Sequence, residues 1–90
     1  MDIEWDPSKA KSNLTKHGVS FPDAESVLFD PYALTVADDR EVSEDRHVTI
    51  GLDALGRTIV VVYAVYEETI RIISARQATR GERKTYEKGI

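Results

Sequence analysis

Cysteine is absent from this 90-residue chain. No disulfide framework and no thiolate metal site can form, and the composition suits a reducing cytoplasm. Long apolar runs are absent as well. The longest, Ile59 to Tyr66, falls far short of the roughly 20 residues that a membrane helix needs. The opening residues Met1-Asp2-Ile3-Glu4-Trp5 are acidic and hold no apolar stretch, so no secretory signal is expected there. Histidine is scarce. His17 and His47 stand without a His-x-x-x-His pattern or a carboxylate cluster, so neither a metal nor another cofactor is expected. What remains, with 41% hydrophobic residues, is enough for one small globular domain spanning 1–90.

Charge is unevenly spread. The net charge of -4 would ordinarily argue against a nucleic-acid partner. Residues 23–53 concentrate the acids, with only Arg40 and Arg46 as cations. Residues 71–90 reverse this: Arg71, Arg76, Arg80, Arg83, Lys84 and Lys88 face only Glu82 and Glu87. The simplest use for a cationic end on an acidic chain is a polyanion, and RNA is the first candidate. The acidic segment Asp38 to Asp45 could equally attract a basic protein.

The pattern predicts two helices, then strands, then a helix. Ile3 and Trp5 alternate with polar neighbours and can begin a short strand. Asp6-Pro7 starts a helix to about Lys16, ended at His17-Gly18 by a left-handed cap. Its apolar stripe is thin, mainly Ala10 and Leu14. A second helix starts at Ser20-Phe21-Pro22-Asp23, presents Phe21, Ala24, Val27 and Leu28, and stops at Asp30-Pro31. Strands are expected at Ala33–Ala37, His47–Leu52, Thr58–Tyr66 and Thr69–Ala75, with a loop over Asp38 to Asp45. Thr58–Tyr66 is apolar on both faces and should be central. Short connections imply an antiparallel meander of about four strands. Thr79-Arg80-Gly81-Glu82 is a capping box, opening a polar helix to about Lys88. The expected class is α+β.

Several of these segments also carry a family likeness. Glu4-Trp5-Asp6, Asn13 with Lys16-His17-Gly18-Val19-Ser20-Phe21, Asp30-Pro31, Asp45-Arg46, Ile50-Gly51, Arg71-Ile72-Ile73-Ser74-Ala75-Arg76, Glu82-Arg83 and Tyr86-Glu87 resemble the BrnT family. The resemblance covers almost the whole chain in the same order. It implies a toxin of a type II toxin–antitoxin pair, with a RelE-like ribonuclease fold, that arrests translation by cutting RNA. It also implies a BrnA-type antitoxin carrying a ribbon-helix-helix region, with operator DNA bound only through the toxin–antitoxin complex.

RNA can be cut without a metal when the 2′-hydroxyl attacks the adjacent phosphorus. The reaction needs a base, an acid and cations for the charge on the phosphorane. Arg71 and Arg76 are the first candidates for those cations, because an arginine fork binds two phosphate oxygens. Arg71 could instead pair with Glu67 or Glu68 across the hairpin. An odd separation puts Arg71 and Arg76 on opposite faces of a regular strand, so they meet only if the strand bulges or ends near Ala75. Arg76 is expected at or beyond that end. His17 is the acid–base candidate, although a cation there also suits the helix C-terminus. Lys9, Asn13 and His17 form one stripe, and Lys9, Arg46, Arg80, Arg83 and Tyr86 are candidate RNA contacts. Against each stands a plainer role: Arg80, Lys84 and Lys88 as a solvated stripe, Tyr86 as a packing anchor. The competing function is a non-catalytic nucleic-acid-binding or protein-interaction module.

Overall fold

A computed structural model describes residues 1–40 and 44–89. The elements are β1 (Asp2–Glu4), α1 (Pro7–His17), α2 (Phe21–Val27), β2 (Leu34–Ala37), β3 (Arg46–Leu52), β4 (Thr58–Tyr66), β5 (Thr69–Gln77) and α3 (Arg80–Lys88). The class is α+β, as expected. The sheet differs from a four-stranded meander. It has five strands in the order β1-β5-β4-β3-β2, and β1 lies parallel to β5. Two helices and three strands separate β1 from β5 along the chain, so no short connection in the sequence announced the pairing. Of the loop expected over Asp38 to Asp45, residues 41–43 lie outside the described residues.

Local chemistry explains the helix ends. The Asp6 carboxylate accepts from the Ser8 amide at 2.8 Å, and Gly18 closes α1 with φ of 70°. Ser20 caps α2 by accepting from the Asp23 amide. Thr79 and Glu82 complete the capping box of α3 in both directions.

One face of the sheet carries the core. Ile59, Val61 and Tyr63 of β4 and Ile72 and Ala75 of β5 pack against Val19, Phe21, Ala24 and Val27. Trp5 meets Phe21 edge-on with ring centroids 6.0 Å apart. Gly51 lets β3 approach α2, since a Cβ there would lie 3.0–3.1 Å from Asp30, Ala33 and Val27. Leu14 does not join the core and is 51% exposed. The buried residue of α1 is Asn13, whose amide donates to the Val19 and Ala75 carbonyls at 3.0 and 2.8 Å. Its oxygen accepts from the Ala75 N–H at 3.1 Å. An apolar-periodicity reading discards such a residue, because it sees polarity and not the strand edge that polarity satisfies.

β5 is longer than expected and is not regular. Tyr63 pairs with Ile72, but Val62 pairs with Ser74, so Ile73 is an extra residue in the ladder. Arg76 lies inside the strand opposite Val60, not beyond its end.

Candidate active site

The bulge at Ile73 resolves the parity conflict between the two arginines. Arg71 pairs with Ala64 and Arg76 with Val60. Those two β4 residues are four apart in a ladder that runs without a shift against β3, so both arginines share the face away from the core. Arg46 joins them, because it pairs with Ala64 from the other side. Three rows therefore cross the open face. Glu4, Arg71, Ala64 and Arg46 form one; Ser74, Val62, Val48 and Val36 form the middle; Arg76, Val60, Ile50 and Leu34 form the third. Along β4 the outer rows are about 13 Å apart. Long arginine side chains bracket a mostly apolar floor, of which Val36 is 64% exposed.

Each arginine holds a carboxylate. Arg46 Nε donates to Glu44 Oε1 at 2.8 Å and Arg71 Nη2 donates to Glu44 Oε2 at 3.0 Å, so one glutamate bridges both above the buried Ala64. The alternative partners for Arg71 across the hairpin, Glu67 and Glu68, do not hold it; Glu44 does. Arg76 grips Glu82 with two bonds, at 2.7 and 2.9 Å. The Arg76 fork, helped by the Thr79 N–H, draws the Glu82 carboxyl down to about 2. Glu82 in turn raises Arg76 above its ordinary value.

The last helix closes the Arg76 end of this face, with Glu82 at Arg76 and Gly89 beside the Leu34 side chain. Tyr86 fixes it there. Its ring is buried, and its hydroxyl donates to Asp30 at 2.5 Å. Burial and that bond push the Tyr86 phenol up to about 12. Burial opposes the Asp30 charge, but the Leu52 N–H, the Tyr86 hydroxyl and the Tyr32 N–H outweigh it and lower its pKa. With α3 docked, Tyr86 cannot stack on a base, and the plainer reading of it as an anchor describes its place. Arg80, Arg83, Lys84 and Lys88 are exposed on α3.

His17 and Lys9 lie elsewhere. Both line a notch between α1 and β5 together with Ser12, Lys16 and Ser74, and Arg71 and Arg76 are not among its walls. The structure therefore groups Arg46, Arg71 and Arg76, and separately Lys9 and His17. His47 stacks on Tyr63 on the core-side face and meets Asp45 at 3.0 Å, a structural setting. Glu44 is the site residue that the sequence concealed: it lies two positions from Arg46 but 27 from Arg71, and only folding joins them.

No curated protein matches the chain. The crystal structure of the Brucella abortus ribonuclease toxin BrnT, at 1.1 Å resolution, is 31% identical, covers 89% of this chain and 99% of its own, and superposes with a TM-score of 0.70. The family model described as "Ribonuclease toxin, BrnT, of type II toxin-antitoxin system" matches residues 5–82. This chain belongs to the BrnT family of ribonuclease toxins of type II toxin–antitoxin systems.

Proposed function

We propose that the open face of the sheet binds and cleaves RNA without a metal, in the manner of RelE-like ribonucleases, and so stops translation. The observation that carries this reading is the Ile73 bulge, which puts Arg76 on the same face as Arg71 and Arg46 in an otherwise acidic protein. In the reaction the ribose 2′-oxygen attacks the adjacent phosphorus as its proton leaves to a base. A pentacoordinate phosphorane forms, and the 5′-oxygen departs with a proton, leaving a 2′,3′-cyclic phosphate. Arg71 and Arg76 stabilise the added charge on the phosphorane oxygens. In the resting state Glu44 and Glu82 hold the positions that phosphate oxygens take, and RNA must exchange with them. The valine floor between the arginine rows suits the apolar faces of bases.

The antitoxin follows from the same surface. A BrnA-type partner with a ribbon-helix-helix region covers the open face, masks the arginines, and carries the pair to operator DNA that the toxin does not bind alone. The test is purified chain with RNA in the presence and absence of EDTA. Cleavage that persists in EDTA, ends in 2′,3′-cyclic phosphate, disappears with 2′-deoxy substrate and is lost in Arg76→Ala supports the reading. Intact RNA with the wild-type chain, or cleavage that needs a divalent ion, contradicts it.

A further inference from the structure

The notch between α1 and β5 has about 300 Å³ of space. Lys9, Ser12 and Lys16 bring α1 groups to it at helical spacing, with His17 at its end and Ser74 on the β5 wall. Asn13 forms part of it too, but both ends of its amide are spent on main-chain groups of Val19 and Ala75. The groups left to face a ligand are two ammoniums, an imidazole and hydroxyls. Among the described residues no carboxylate lines the notch, although the chain holds 16 acids. That is the reverse of the open face, where every arginine already grips a glutamate.

The notch also connects to that face. Ser74 pairs with Val62 and so belongs to the middle row, between Arg71 and Arg76, while it also lines the notch. β1 pairs with β5 only as far as Arg71, so beyond that point no strand separates the two regions. Ser74 and Arg76 are two residues apart, about 7 Å along the strand. Neighbouring phosphates of one strand can be held across that step.

We propose that this notch is a second phosphodiester site, through which an RNA strand leaving the arginine face passes over the β5 edge onto Lys9, Lys16 and His17. The inference rests on the ribonuclease reading and gives the substrate its path. Lys9, Lys16 and His17 bind the strand there, and the bond that breaks lies at the arginines.

The test is Lys9→Ala/Lys16→Ala, two exposed side chains whose loss disturbs no buried contact. A 2′-O-methyl oligonucleotide that cannot be cut serves as the binding probe, and cleavable RNA gives KM and kcat. Lys11→Ala, on the same helix but outside the notch, controls for net charge. The expected result is a rise of tenfold or more in Kd and KM, with kcat within twofold of wild type. The slope of log K against log salt should fall by about 1.4, at about 0.7 per lost single-strand contact. Ser74→Glu should weaken binding similarly by placing a carboxylate where the path crosses. Unchanged Kd and salt slope in the double variant, beside an active wild type, overturn this inference alone. A wild type that neither binds nor cuts RNA overturns the ribonuclease reading and this inference with it.

Discussion

The two faces of the sheet are built from the same strands and solve opposite problems. On the covered face the side chains of β4 and β5 are mostly apolar and enclosed by α1 and α2, and one polar group that enters, Asn13, is satisfied by three main-chain bonds. On the open face β3 and β5 present Arg46, Arg71 and Arg76 around a mostly apolar floor, each arginine paired to a carboxylate. The first face is satisfied by bonds within the fold. The second is satisfied by ion pairs on a partly exposed surface. Surface ion pairs of this kind contribute only about 0–1 kcal/mol to folding, so the open face can lose one at little cost in stability.

Mutations on the two faces should therefore separate activity from stability. The largest effect expected is from Arg76→Ala, which should lower RNA cleavage by about 100-fold or more. Its thermal midpoint should move by only a few degrees. Arg76→Lys should rescue little of the rate, because a point charge does not replace the fork. A stability loss that accounts for the whole effect would erase the distinction.

Asn13→Ala should do the opposite. It strands the Ala75 N–H and C=O and the Val19 carbonyl, and should cost about 3 kcal/mol in denaturant unfolding. Near-wild-type stability would show that the covered face does not depend on this pin. Tyr86→Phe should cost about 1 kcal/mol by removing the bond to Asp30, read as a lowered melting temperature.

Acid should release the end of the open face. Glu82 falls from 4.5 to about 2 on folding, so its contribution is present above pH 4.5 and is lost as pH falls towards 2. Helicity and melting temperature followed across that window should show the loss in wild type, and Glu82→Gln should reduce it, leaving the part due to Asp38, which Arg40 also holds down at about 2. The smallest effect concerns Glu44. Glu44→Gln should tighten binding of an uncleavable RNA several-fold, measured by anisotropy, because Arg46 and Arg71 no longer hold a competing charge. Weaker binding would mean that Glu44 orients the arginines for phosphate.

Much of this was legible before folding. The caps at Asp6, Gly18, Ser20, Thr79 and Glu82 are local chemistry and read directly from neighbours in sequence. The core positions of α2 and the centrality of β4 followed from apolar spacing. Pleat parity also stated the right condition for Arg71 and Arg76, and the bulge met it. The remainder depends on contacts between distant segments. Asn13 meets Ala75 across 62 positions, Tyr86 meets Asp30 across 56, and Arg71 meets Glu44 across 27. No local pattern encodes such pairs. β1 was legible as a short strand but not as the parallel edge of the sheet, since its partner arrives 67 residues later.

The central claim is that Arg71 and Arg76 act together on one phosphate from one face. A double-mutant cycle on single-turnover RNA cleavage tests it most directly, using Arg71→Ala, Arg76→Ala and the double variant, each checked for an unchanged fold. Residues that stabilise the same phosphorane are strongly non-additive. The account predicts that the double variant is no more than a few-fold slower than the worse single variant. Rate losses that multiply, or an Arg71→Ala variant that cleaves at the wild-type rate, would contradict it.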